Sequence, residues 1–118
     1  MFINLSNHPS EIWSEEQIAE AEKYGCVLNM PFPNIRPDAS AEEVQQLAQE
    51  YANQIAEKAE KELITVHVMG EMTFTYNLVA SLKNMGIHCV ASTTERKTYI
   101  DDSGMKVSEF KFIQFRDY

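Results

Sequence analysis

The densest run of groups able to handle a phosphate is Ser92-Thr93-Thr94-Glu95-Arg96-Lys97, where three hydroxyls and two cations fall within six residues. Hydroxyls and cations donate the hydrogen bonds that phosphodiester oxygens accept. The same residue types are ordinary turn formers, so a solvated turn also explains them. A second group is Ser6-Asn7-His8. An imidazole near its ordinary pKa moves a proton at neutral pH, although these residues equally suit a polar turn.

The third group is Gly70-Glu71-Met72-Thr73-Phe74-Thr75. Gly70 lets backbone approach a ligand closely, and Thr73 or Thr75 either caps a helix or touches a phosphate. Glu71 reads as a general base or an acceptor for ribose hydroxyls, or as one more solvated acid in a chain with 18 Asp and Glu. The run lacks the repeated glycines of a dinucleotide site and the Lys of a P-loop, so neither NAD nor ATP is suggested. No cofactor is expected. His67 and His88 fall inside strand patterns and read as core or inter-element hydrogen bonders. With three His and two Cys at no ligand-like spacing, no metal site is expected.

These groups need elements to position them. Phe2-Ile3-Asn4-Leu5 reads as a first strand ending at Ser6-Asn7-His8. Ser14-Glu15-Glu16-Gln17 is a capping box, with Trp13 and Ile18 spaced as a hydrophobic staple, and predicts a helix from Ser14 to about Gly25. Cys26–Met30 predicts a second strand, stopped by Pro31, Pro33 and Pro37. Ser40-Ala41-Glu42-Glu43 caps a second helix whose Val44, Leu47, Ala48, Tyr51, Ala52, Ile55 and Ala59 share one face. The run 63–68 predicts a central strand covered on both faces. A third helix carries Leu78, Val79, Leu82 and Met85 and ends at Gly86. Ile87–Ala91 is a fourth strand, followed by 92–97 as a loop and a hairpin turning at Asp101-Asp102-Ser103-Gly104. Strands alternating with helices give an α/β domain with a mainly parallel sheet, right-handed crossovers and a C-terminal β-hairpin.

The chain's 118 residues support one core, so residues 1–118 are read as a single domain. The formal charge of −8 argues against a grip on long nucleic acid, which takes clustered Lys and Arg. Residues 96–118 are nearly neutral, with five Lys and Arg against four Asp and Glu, and are the least repulsive place for an anion. Cys26 and Cys89 read as small buried hydrophobes of a reducing compartment. No apolar run approaches the roughly 20 residues of a membrane span, so no membrane partner and a cytoplasmic location are expected.

Taken in order along the chain, these pieces resemble the stand-alone CRISPR-associated Rossmann-fold (CARF) proteins of the ring-nuclease type. The matching pieces are the first strand ending in Ser6-Asn7-His8 with Gln17 in the next helix, and Gly70-Glu71 with Thr75-Tyr76 and Val79. They continue with Gly86, the run Ser92-Thr93-Thr94-Glu95-Arg96, and the ending Phe115-Arg116-Asp117-Tyr118. The resemblance spans nearly the whole chain, and its specificity lies in order and spacing. It implies a Rossmann-like three-layer core, a homodimer, and a cyclic oligoadenylate ring, cyclic tetra-adenylate favoured, held across the two-fold axis by the loops after strands one and four. Ser6 and His8 fall at the first-strand motif; Thr93, Thr94, Arg96 and Lys97 fall at the fourth. Val90 and Ala91 stand where the family often has Asp or Asn ahead of the hydroxyl, and Asn7 separates Ser6 from His8, which leaves the contacts and ring size open.

By this resemblance the chain is a metal-independent phosphodiesterase in which the ribose 2′-hydroxyl attacks the adjacent phosphorus. Arg96 or Lys97 would stabilise phosphoryl charge, Thr93 and Thr94 orient the oxygens, and His8 act as acid or base. The remaining ligand contacts would come from Ser6, Asn7, Gly70, Glu71, Thr73, Thr75 and Ser92. Two other readings stand beside it: a sensor or sponge that holds the ring uncut, and an oligomeric interaction protein with no nucleotide ligand.

Overall fold

In a computed structural model that describes residues 1–118, five strands form one sheet in the order β2-β1-β3-β4-β5. The strands are β1 (Phe2–Ser6), β2 (Val27–Asn29), β3 (Thr65–Met69), β4 (His88–Ile100) and β5 (Lys106–Asp117). β1 to β4 run parallel, and β5 lies antiparallel against β4. This is the expected α/β arrangement with its C-terminal hairpin.

Three helices connect the parallel strands: α1 (Glu15–Glu22), α2 (Ala41–Ala59) and α3 (Met72–Asn84). Ser14 Oγ accepts from the Gln17 amide and Ser40 Oγ from the Glu43 amide, so both serine caps form, while the reciprocal half of each expected capping box does not, the Glu43 carboxylate pairing with Arg36 instead. Helix α3 ends at Gly86, whose φ of 75° only glycine adopts readily, while the amides of Gly86 and Ile87 return to the carbonyls of Lys83 and Leu82. That closure delivers Ile87 to the core and sets the entry to β4.

One core packs the odd residues of β1, Ile3 and Leu5, with Val66 and Val68 against α2 and α3. Helix α2 buries Val44, Ala48, Ala52 and Ile55, with Leu47 and Tyr51 half-buried at its edge. The alternate residues of β1 and β3 face the other way, where Phe2, Ala21, Val90, Trp13 and Phe115 form a smaller aromatic cluster. Alternation along a strand forces this division, and it leaves Asn4 and His67, both fully buried, on the aromatic side.

Two expectations are corrected. Residues 92–97 are not a loop: β4 continues through them to Ile100, because Thr93, Thr94, Thr98, Tyr99 and Ile100 favour extended backbone and β5 pairs with the whole length. The only break is a register shift between Thr93 and Thr94. Cys89 is buried, with its thiol pushed up to about 11 by desolvation, but Cys26 is exposed rather than core. No helix is long and apolar enough to cross a membrane.

Candidate functional site

The strand order reverses direction between β1 and β3: the chain leaves β1 towards the β2 edge and leaves β3 towards β4. Beyond the carboxyl ends of two such strands the connections diverge and open a crevice, the usual ligand site of an open α/β sheet. Here the crevice is a cleft of about 1360 Å³ bounded by Ser6, Asn7 and His8 after β1, the start of α1, Met69 and Gly70 after β3, and the β4–β5 ladder. Small-molecule pockets usually run to about 300–1,000 Å³. The cleft exceeds that range.

A polar network running from buried Asn4 to the surface fixes the turn at the edge of this cleft. Asn4 Nδ2 donates to the His8 carbonyl (2.9 Å) and to Asn29 Oδ1 (3.0 Å). Asn29 Nδ2 in turn donates to Ser10 Oγ and to the Glu11 carboxylate. Ser6 Oγ donates to Asn4 Oδ1 at 2.8 Å, and Trp13 Nε1 to the His8 carbonyl at 3.1 Å. The turn after β1 is thus pinned through the His8 carbonyl, while the exposed His8 imidazole is left without a hydrogen bond.

Because both Asn4 amide protons are spent on acceptors, its Oδ1 must accept, and the His67 Nδ1 that lies 2.9 Å away must carry a proton. His67 Nε2 is then a bare lone pair. It is buried and has no partner. Desolvation, with a smaller contribution from the neighbouring His8 imidazole, pushes the His67 pKa down to about 4, so the ring is neutral at physiological pH. His67 lines the cleft, and the sequence reading as a core hydrogen bonder describes only its Nδ1 side. His88 is the inter-element hydrogen bonder of that reading and not a core residue: it is partly exposed and bridges Thr65 Oγ1 (3.0 Å) and Asp117 Oδ1 (2.7 Å).

The hairpin supplies Ser92, Thr94 and Lys97 to the cleft from one wall. Ser92 Oγ donates to Met69 Sδ at 2.9 Å, which ties the β4 wall to the end of β3. Neither Lys97 nor Arg96 has a carboxylate within 4.0 Å, even though Glu109 lies opposite Lys97 in the ladder; Glu109 instead accepts from Tyr99 Oη at 2.9 Å. Arg96 does not line the cleft. Its guanidinium lies 5.9 Å from the centre of the Phe110 ring and donates to Ser108 Oγ. Thr93 is likewise diverted, donating to the Gln114 carbonyl. Extended backbone separates the hydroxyls and cations that a loop would have gathered.

The residues after β3 serve mostly local structure. Glu71 is the N-cap of α3: its carboxylate accepts from the amides of Thr73 and Phe74 and from the Thr73 hydroxyl, which lowers its pKa from the usual carboxylate range. Gly70 borders the cleft, but the space its missing side chain leaves is filled by Phe32, since a Cβ there would stand 2.3 Å from the ring. Thr75 Oγ1 is buried without a partner and lies with Met72, Tyr76 and Tyr118 around a separate apolar depression of about 610 Å³. No cluster of three or more His, Cys, Asp or Glu stands in metal-binding geometry. The structure thus gathers Ser6, Asn7, His8, Gly70, Ser92, Thr94 and Lys97 around one opening, and leaves Glu71, Thr73, Thr75, Thr93 and Arg96 outside it.

The chain matches, over residues 1–116, the family model described as "Uncharacterized protein MJ1673 family", and it belongs to that family. No curated protein and no solved structure matches it.

Proposed function

We propose that this member of the MJ1673 family binds a cyclic oligoadenylate in the cleft between the β1 turn and the β4–β5 hairpin, and cleaves it as a CARF-type ring nuclease. The observation that carries the reading is the convergence of Ser6, Asn7, His8, Ser92, Thr94 and an unpaired Lys97 on an opening that exceeds the usual small-molecule range. The carboxylates of Glu15, Glu16 and Glu109 border the same space. Phosphates would therefore sit towards Lys97 and Lys111, with the acidic side accepting hydrogen bonds from ribose hydroxyls.

In the reaction the ribose 2′-oxygen forms a bond to the adjacent phosphorus as the bond to the 5′-oxygen breaks. The 2′-hydroxyl proton leaves to a base, the 5′-oxygen takes up a proton, and the product is a linear chain ending in a 2′,3′-cyclic phosphate. His8 is the group with a free imidazole at the site and takes the proton-transfer role. Lys97 stabilises charge on the phosphoryl oxygens. Arg96, stacked on Phe110, steadies the hairpin that carries Lys97.

A ring with two-fold symmetry presents equal phosphates to equal clefts only if the protein shares that symmetry, so the active species is a homodimer. The hairpin exposes Ile100, Met105 and Phe110, apolar area that suits a partner copy. Titration calorimetry with cyclic tetra-adenylate in EDTA tests the binding step. One ring per two chains is expected, and no heat with any cyclic tri-, tetra- or hexa-adenylate would remove the proposal.

A further inference from the structure

The buried face of His67 is a polar feature of this site that the reaction above does not use. Its Nε2 is enclosed and unpartnered, on a side chain only 2% exposed. An unmet acceptor in such surroundings costs about as much as a lost hydrogen bond, so it marks a place where a donor is missing. Nδ1 is engaged with Asn4, and His67 lines the cleft, so the cleft is the route by which a donor would reach the ring. Trp13 stands edge-on to the His67 ring at 5.4 Å, lines the cleft and is half-buried, and its side chain makes one hydrogen bond, to the His8 carbonyl. Phe115 lies 5.4 Å from the same ring. For a ligand donor to reach Nε2, Trp13 would have to turn aside, which would leave a slot between the aromatic rings over this acceptor.

Resting on the reading that the cleft holds a cyclic oligoadenylate, we propose that this slot is a base-recognition subsite, in which His67 Nε2 accepts a hydrogen bond from the exocyclic amine of an adenine lying against Trp13. A planar ring is what edge-on and tilted aromatic walls accommodate, and an N–H donor is what a bare imidazole nitrogen selects. A protonated imidazole would instead repel the amine, and the depressed pKa keeps His67 neutral. A site built on a buried acceptor discriminates strongly against a ligand that lacks the donor.

The test compares cyclic tetra-adenylate with the analogue carrying purine, without the exocyclic amine, at every base. Binding is followed by calorimetry and by fluorescence of Trp13, the single Trp of the chain. The wild-type protein should bind the adenine ring about 10- to 100-fold more tightly, and His67→Phe should reduce that ratio to near one. In wild type with labelled histidine, the His67 Nε2 resonance should shift with the adenine ring and not with the purine ring, a readout that does not depend on the variant folding. Equal affinity for both rings, a preference that persists in His67→Phe, or an unmoved Nε2 resonance would each overturn the subsite and reduce His67 to a core residue, while leaving ring binding intact. Failure to bind either ring would instead remove the parent reading, and the subsite with it.

Discussion

His67 and Asn4 sit side by side in the β1–β3 ladder, and the 2.9 Å bond between Nδ1 and Asn4 Oδ1 decides which imidazole nitrogen carries the proton. Charging this ring would place a cation among Phe2, Trp13 and Phe115 with no acceptor for the second N–H.

Stability should therefore fall with acid in a defined window. The folded pKa of about 4 lies below the ordinary value of 6.5, so the unfolded chain binds the extra proton. The contribution of His67 is fully present above pH 6.5 and is lost as pH falls from there to about 4, amounting to about 3 kcal/mol at the acid end. Urea denaturation at half-unit steps checks this, with His67→Phe expected to flatten the slope. Glu71 and Asp101, whose pKa values are lowered, lose their contributions only as pH falls through the carboxylate range.

Glu71→Ala should lower the thermal midpoint by a few degrees, the scale of a lost helix cap, and leave ring affinity unchanged. Its carboxylate is committed to the first amides of α3. Differential scanning calorimetry beside ligand titration separates the two effects, and a large loss of affinity would return Glu71 to the site.

Lys97→Ala should slow single-turnover cleavage at saturating protein by about 10²–10³, with a smaller loss of binding, as when one preorganised electrostatic donor is removed. His8→Ala should cost about 10²–10⁴ if its imidazole transfers the proton. Arg96→Ala should do less than Lys97→Ala, because Arg96 acts through the hairpin. Rapid-quench measurement on all three variants orders them, and an order with Arg96 first would mean that the hairpin moves on binding.

Much of this fold was legible in the chain. Serine caps at Ser14 and Ser40, the glycine closure at Gly86 and the apolar runs of β1 and β3 each act over a few residues, so their signals survive without tertiary context. What failed was long-range. Residues 92–97 look like a loop by polarity, yet they are held extended by pairing with residues of β5. Gly70 suggests room for a ligand, yet Phe32 from the proline-rich segment fills the room. His67 and Asn4 are 63 positions apart in the chain, and only the register of β1 on β3 shows that one fixes the tautomer of the other.

The central claim is cleavage, and the most direct measurement incubates the purified protein with end-traceable cyclic tri-, tetra- and hexa-adenylate in EDTA and identifies the products by mass. The account predicts linear oligoadenylate ending in a 2′,3′-cyclic phosphate, formed at a rate that Lys97→Ala depresses. A ring retained by the protein and recovered intact would contradict catalysis and leave a sensor, and a ring neither held nor cut would contradict the nucleotide reading altogether.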